Sequence, residues 1–331
     1  MAGKIKALAL FSGGLDSTLA AKVILDQGIE VEAVYFANAF LSECKRAGHL
    51  PAPLGIQLHI LDISSAHLEM VKKPRYGYGE NMNPCIDCRI LMLKEAKRYM
   101  QKRGFHFLIS GEVLGQRPMS QRKDSLNIIE RDAGVKGILL RPLSAKLLKL
   151  TLPEEKGWVD REKLFDFSGR SRKGQLALAD ELNIKEYSAP AGGCLLTEKE
   201  FSRKFKDLIA SGKFGLSDIQ LLKVGRHFRL NAVKCIIGRN EGENKLLLDL
   251  AEKGDTLLKM HSFAGPIGLL RTGSSVFTEE TIETAAGLIA RYSKAKSEKE
   301  VQVDYWRKGY EEEKSILVNP ASEELIEKWR I

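Results

Sequence analysis

A short, mostly apolar run at Ile5–Phe11 has the length and character of a buried parallel strand. A turn with two glycines follows. Ser17–Gln27 then carries helical periodicity up to Gly28, a residue suited to ending a helix. Glu30–Phe36 predicts a second strand, so a βαβ unit opens the chain, and Gln57–Ile63 predicts a third strand. Across Pro84–Arg103, Ile86, Ile90, Leu93, Ala96 and Met100 share one face of a helix that Gly104 ends. Phe105–Ile109 and Gly137–Leu143 read as further strands. This alternation predicts an α/β fold with a doubly wound parallel sheet, which binds ligands beyond the carboxyl ends of its strands.

From Ser144 to Pro190 the pattern changes to helices and loops with a basic string, Gly169-Arg170-Ser171-Arg172-Lys173. The segment Ala189-Pro190-Ala191-Gly192-Gly193-Cys194 has the composition of a boundary, which gives domains of 1–188 and 189–331. In the second, Gln220–Leu230 and Val233–Gly238 predict paired strands, followed by a helix over Glu243–Lys253. Strands at Leu257–Phe263 and Gly265–Arg271, a helix over Thr278–Lys294, and strands at Lys299–Trp306 and Lys314–Asn319 complete a smaller α+β domain.

Composition narrows the class. Hydrophobic residues make up 44% and aromatic residues 7%, as in a globular protein. No stretch approaches the ~18 apolar residues that span a bilayer. The start, Met1–Lys6, runs into the first strand without a signal-peptide core, so the expected location is cytoplasmic, with no membrane partner. A formal charge of +9 favours polyanionic partners. Five cysteines, Cys44, Cys85, Cys88, Cys194 and Cys235, point to metal or redox chemistry more than to a disulfide framework.

Ser12-Gly13-Gly14-Leu15-Asp16-Ser17 occupies the first strand–helix junction. Glycines there let backbone approach a ligand, N–H groups and hydroxyls donate to phosphate oxygens, and the helix N-terminus favours the anion. A carboxylate among such groups suits Mg²⁺ on a pyrophosphate. A glycine turn capped by Asp or Ser is the structural alternative.

The string resembles the PP-loop of the ATP pyrophosphatase superfamily, whose adenine nucleotide alpha-hydrolase-like domain cleaves ATP to AMP and pyrophosphate. That resemblance implies ATP and Mg²⁺ as cofactors. Ser12, Gly13, Gly14, Asp16 and Ser17 would hold the pyrophosphate, Tyr35 and Phe36 would face adenine, and Ser110-Gly111-Glu112 would lie near the α-phosphate or ribose. Asn83-Pro84-Cys85-Ile86-Asp87-Cys88 resembles the Asn-Pro-Asp-x-x-Cys motif of tRNA 2-thiouridylases, with Cys85 in place of the aspartate. Ala191-Gly192-Gly193-Cys194 matches that family's second cysteine, which implies catalytic roles for Cys88 and Cys194 beside Cys85 and Asp16. The change at Cys85 also resembles PP-loop thiolases that carry a [4Fe–4S] cluster, and implies Cys85, Cys88 and Cys194 as its ligands. A persulfide mechanism without a cluster, and a zinc site completed by His49 or His59, stay open. Cys85 and Cys88 lie one turn apart at a helix start, where the dipole is expected to lower their pKa. Cys44 and Cys235 read as inert thiols.

Gly111–Gln121 and Leu140–Lys146 resemble segments of short relatives of tRNA 4-thiouridine synthetases, which makes Arg117, Arg141 and Lys146 candidate phosphate contacts for ATP or RNA. Arg170, Arg172 and Lys173 are candidates for an RNA backbone. Lys223–Arg229 and Ile237–Asn244 resemble the C-terminal RNA-associated domain of the fibronectin-binding/ribosome-quality-control proteins, over roughly Phe214 to Asn319. This implies RNA contacts by Arg226 and Arg229 beside Phe228. A domain that only supports a homodimer is the alternative, and His227 reads as structural. The implied reaction is ATP-dependent thiolation of a tRNA uridine to 2- or 4-thiouridine, with sulfur from a persulfide carrier or free sulfide. Two other classes remain: a sulfur or nitrogen transferase for a small molecule, and a non-catalytic RNA-binding protein.

Overall fold

The computed structural model describes residues 4–41, 54–187, 193–212, 214–272 and 278–331. Cys44, His49, Ala191 and Gly192 lie outside them. The chain divides into two compact units, Met1–Thr197 and Glu198–Ile331. The division therefore falls beyond the boundary expected at 188 and leaves Cys194 in the first unit.

The first unit runs β1 (Lys6–Leu10), α1 (Leu15–Leu25), β2 (Glu30–Ala37), β3 (Leu58–Asp62), α2 (Ser64–Lys72), α3 (Cys85–Arg103), β4 (Phe107–Ser110), α4 (Lys123–Ala133), β5 (Leu139–Leu140), α5 (Leu152–Glu155) and α6 (Lys173–Glu181). Among the described residues five strands pair in parallel in the order β3-β2-β1-β4-β5. Successive residues of β1 serve opposite faces. Ala7 and Ala9 pack with Leu15, Leu19 and Ile24 of α1 and Leu178 of α6, whereas Leu8 and Leu10 pack with Ile90, Leu93 and Met100 of α3 and Ile129 of α4. Burial on both faces is why these strands read as apolar runs. From β1 the chain winds outward through β2 to β3, then crosses back to β4 on the other side of β1. The carboxyl ends of β1 and β4 thus flank the reversal point, where open α/β sheets bind ligands.

The second unit runs α7 (Lys199–Ala210), α8 (Leu216–Leu222), β6 (Arg226–Leu230), β7 (Val233–Ile237), α9 (Glu241–Leu250), β8 (Thr256–Met260), β9 (Gly268–Arg271), α10 (Glu279–Arg291), β10 (Val301–Arg307), β11 (Glu313–Val318) and α11 (Glu323–Trp329). Its described strands form an antiparallel sheet in the order β11-β10-β8-β9-β7-β6. Ala285, Leu288 and Ile289 of α10 pack against Phe228, Leu258 and Val303. Leu221 and Leu247 join Ile236, Leu257 and Leu269 in a second cluster. The strand expected over Gln220–Leu230 is corrected: Gln220–Leu222 end α8, and the strand begins at Arg226. Gly225, at φ +74, separates them, and a Cβ there would lie 2.6 Å from the Ile237 carbonyl oxygen.

Candidate adenylation and thiol site

The loop after β1 is folded by its own residues. Gly13 takes φ +73, and Gly14 begins α1 in an extended conformation. The Ser17 hydroxyl donates to the Gly14 carbonyl (2.8 Å) and accepts from the Ser12 amide (3.2 Å). Thr18 Oγ1 also donates to Gly14 O, at 3.1 Å. The Ser17 and Thr18 hydroxyls therefore hold the glycine turn against the helix start, which presents its amides to the crevice.

The loop following β4 closes on this turn. A Cβ on Gly111 would lie 2.5 Å from the carbonyl carbon and oxygen of Asp16 and 2.6 Å from the Ser17 amide nitrogen. Gly111 thus serves by close backbone approach. Gln116, from the same loop, donates through Nε2 to Asp16 Oδ2 (3.1 Å). Asp16 Oδ1, Gln116 Oε1 and Arg172 Nε are buried and lack hydrogen-bond partners. Arg172 Nη2 lies 4.0 Å from Asp16 Oδ1, so this half-buried side chain turns to the PP-loop. Burial pushes the Asp16 carboxyl above its ordinary range, against the Gln116 hydrogen bond and the charges of Arg172 and Arg117. A hard, unpartnered carboxylate oxygen in an anion-binding turn fits Mg²⁺.

Behind the crevice, Glu112 is buried with Arg141, whose Nε donates to Glu112 Oε2 (3.0 Å) and which also pairs with Glu130. Arg89 lies 3.0 Å from Glu112 Oε1 without aligned hydrogen-bond geometry. Burial raises the Glu112 pKa, but the Arg89 and Arg141 charges outweigh it and leave the carboxyl below its ordinary value. Arg141 is therefore an internal ion-pair residue and no phosphate contact. Phe36 also departs from expectation: its ring packs into the core with Leu8 and Ile90, and does not face a nucleotide. Tyr35 is buried as well.

Cys85 begins α3 and Cys88 follows one turn later, its amide donating to the Pro84 carbonyl (2.8 Å). Asp87, between them, accepts from the amides of Arg75 (3.0 Å) and Tyr76 (2.9 Å), which ties the preceding loop to the helix start. Asn83 Nδ2 approaches Cys85 Sγ at 3.1 Å. Cys194 reaches the same end of the sheet because its segment is pinned to the chain beyond β2. It forms an antiparallel bridge with Leu41, the Leu195 amide donates to Phe40 O (2.9 Å), and Asn81 Nδ2 donates to Thr197 O (2.8 Å). Burial pushes Cys88 up to about 12, with further raising by the charges of Cys194 and Cys85. Cys194 is pushed up to about 11, again by burial, while the amides of Leu196 and Thr197 and the Arg117 charge pull the other way. At Cys88 desolvation thus overrides the helix dipole that was expected to lower the thiol's pKa. Cys235 is buried in β7, as its inert reading requires. Among the described residues no group of three His, Cys, Asp or Glu side chains is disposed to hold a metal ion. Both Cys194 and Cys85 nonetheless act electrostatically on Cys88. His59 Nε2 pairs with Glu32 on β2.

Residues 2–146 match the family model described as Thiamine biosynthesis protein (ThiI). Residues 225–330 match that of the NFACT protein RNA binding domain. The first part of the chain is thus similar to ThiI proteins, and the second to NFACT RNA binding domains. Over 150 residues it is 35% identical to a probable tRNA sulfurtransferase of Thermoanaerobacter sp. (strain X514), a match covering 42% of this chain and 36% of that protein. Over 118 residues it is 35% identical to a tRNA-specific 2-thiouridylase (MnmA) of Sulfurimonas denitrificans, covering 33% and 35%. The chain thus spans little more than a third of these curated relatives. A solved 4-thiouridine synthetase–RNA complex with bound ATP is 20% identical, covers 66% of this chain and 52% of its own, and gives a TM-score of 0.33.

In the NFACT-type unit the expected RNA contacts divide. Arg229 forks onto Asp207 of α7 (2.9 and 2.7 Å), which also takes Lys234 Nζ (2.7 Å), so Arg229 is an internal pair. Arg226 lies 4.5 Å from the Tyr292 ring centre and donates to Gly238 O (3.3 Å), facing a groove shared with Arg239, Asn240 and Asn244. His227 is buried with its Nε2 against Val224 O (2.8 Å), and burial holds its pKa well below the ordinary value, as suits a structural histidine. In the ThiI-type unit Arg117, Arg170, Lys146 and Lys173 are exposed. Gln116 and Arg89 were not singled out from sequence, whereas Glu112 was, as part of Ser110-Gly111-Glu112. Glu112, immediately after a strand-ending Ser-Gly, carried the available signal.

Proposed function

We propose that this chain is an ATP-dependent tRNA sulfurtransferase that converts a uridine to 2- or 4-thiouridine. The carrying observation is the convergence, at one end of a parallel sheet, of a PP-loop with unpartnered ligand atoms and the thiols of Cys85, Cys88 and Cys194, of which Cys85 acts electrostatically on both others. Arg117 acts electrostatically on both Asp16 and Cys194, which supports a single site. The sulfurtransferase and thiouridylase names of the relatives support the same substrate class.

A uracil carbonyl carbon is a poor electrophile, so its oxygen first attacks the α-phosphorus of ATP, and pyrophosphate leaves. Asp16 would hold Mg²⁺, which supplies charge neutralisation on the pyrophosphate. The α1 amides and Ser17 orient the phosphates. The carbon now carries AMP as leaving group. Cys194, the thiol better served by nearby amides and Arg117, carries a persulfide from a persulfide donor. Its terminal sulfur attacks the carbon, and AMP departs with the C–O electron pair. Cys88, as thiolate, then attacks the Cys194 sulfur, which releases the thionucleoside and leaves a Cys88–Cys194 disulfide. A dithiol reductant restores both thiols. No step is assigned to Cys85. Exposed Arg117, Arg170 and the Arg226 groove are proposed to meet the tRNA backbone.

The test is an anaerobic incubation of the protein with Mg-ATP, a persulfide-generating desulfurase, dithiol and unmodified tRNA, with nucleosides read by mass spectrometry. A thiouridine is expected from the wild type, and Cys88→Ser, incubated without the dithiol, should instead trap tRNA as a thiol-releasable adduct on Cys194. Unchanged nucleosides from protein that binds Mg-ATP would overturn the reading and favour a small-molecule substrate.

A further inference from the structure

Arg172 is half-buried and does not close on a carboxylate as two other arginines do. Arg229 forks onto Asp207 at 2.9 and 2.7 Å, and Arg141 meets Glu112 at 3.0 Å. Arg172 stops 4.0 Å short of Asp16 Oδ1, and its buried Nε, like Arg141 Nη2, has no partner. Were the contact a structural salt bridge, the planar fork would close on the carboxylate. Instead Gln116 holds Asp16 through Oδ2, and Oδ1 is left open.

The arginine's position is fixed by its surroundings. Leu114 and Ser168 form a parallel bridge, and the Gly169 amide donates to Leu114 O (2.7 Å). The 168–172 segment is thereby laid beside the loop that carries Gln116, and α6 starts directly after Arg172. The result is a buried Nε–H and a buried carboxylate oxygen, both unpartnered, beside the PP-loop. A phosphate oxygen between them satisfies the fork, and the cation that travels with it satisfies the carboxylate.

We infer that Arg172 binds the pyrophosphate portion of ATP, and that Gln116 is the positioning residue that keeps Asp16 Oδ1 turned to the same ligand. This rests on the adenylation proposed above and adds a residue from outside the PP-loop to it. In the reaction Arg172 meets the β- and γ-phosphates and stabilises the charge that gathers on pyrophosphate as the α–β bond breaks. Its contribution is therefore specific to the part of the nucleotide that AMP lacks.

The test is equilibrium binding of Mg-ATP, Mg-AMP and magnesium pyrophosphate to the full chain, with no tRNA present, so that it stands apart from any failure of thiolation. Arg172→Ala should weaken ATP and pyrophosphate binding about tenfold or more, the loss of a charge-assisted hydrogen-bonding group, and leave AMP within about twofold. Arg172→Lys should recover only part, because a point charge cannot reproduce the fork. If the alanine variant does not fold, the lysine and glutamine variants carry the same ATP-to-AMP comparison. Gln116→Ala should weaken the magnesium dependence of ATP binding and spare AMP. Equal affinities of wild type and Arg172→Ala for ATP would overturn the inference. So would a loss confined to tRNA binding in a filter assay, which would make Arg172 an RNA-backbone contact.

Discussion

Gly111 shows how a residue with no side chain can be indispensable to the site. Its Cα runs against the peptide that joins Asp16 to Ser17, and a methyl group there would sit 2.5 Å from backbone atoms. Neither neighbour is a flexible side-chain end, so relief requires the PP-loop or the β4 loop to move. Gly111→Ala should cost about 1–3 kcal/mol of stability, the usual range for overpacking, and should lower Mg-ATP affinity even where the protein remains folded. Denaturant titration and nucleotide binding on one preparation check both parts. An alanine variant with wild-type ATP affinity would show that the two loops are free to separate.

At the scale of elements, the start of α3 carries a prediction about thiol chemistry. Burial holds Cys88 near 12 and Cys194 near 11, above the ordinary value of about 9, so the native fold favours both as neutral thiols. That preference contributes stability that is fully present below the ordinary pKa and is lost as pH rises from about 9 through about 11 and 12. At pH 8 the raised values leave about a hundredfold less thiolate at Cys194, and about a thousandfold less at Cys88, than in a denatured chain. Alkylation of Cys88 and Cys194, followed by peptide mass spectrometry, should therefore be slow in the native protein at pH 8. It should accelerate above pH 9 and be fast in denaturant, and rapid native labelling at pH 7 would contradict the burial. Elements also show what was legible in the sequence. The βαβ opening, α3 and its buried face, and α10 could be read because each has an unbroken period and a glycine stop or a polar cap. α4 and α7 could have been read from Leu126, Ile129 and Ala133, and from Phe201, Phe205 and Leu208, whose spacings are helical. They were passed over because each stands among charged residues that make it resemble a surface loop. The motif cysteines stood out by spacing alone. The Gln116–Asp16–Arg172 arrangement could not, since it joins three distant segments and only the fold makes them neighbours.

For the whole molecule, the two units each bury a core of their own, one around β1 and β4, the other between α10 and the antiparallel sheet. If the formal charge of +9 serves a polyanion, the logarithm of the tRNA affinity should fall linearly with the logarithm of salt concentration. Protein cut to residues 1–197 should keep Mg-ATP affinity and show a shallower salt slope for tRNA, because the contacts of Arg226 and its groove are gone. An unchanged slope would remove RNA contact from the NFACT-type unit and make that unit's role one of support.

The pinning of Cys194 beside Phe40 and Leu41 has a consequence in time. The phosphate-binding turn is made by residues 12–17, whereas the thiol that answers it comes near the far end of the same unit. At ribosomal speeds of roughly 5–20 residues per second, a growing chain spends roughly 10–35 seconds with the turn synthesised and that cysteine still to come. During this interval the nascent protein can begin to fold the turn, yet it lacks the thiol to which the proposed sulfur transfer is assigned. Under that proposal, synthesis order holds back the thiol half of the site until the sheet is complete.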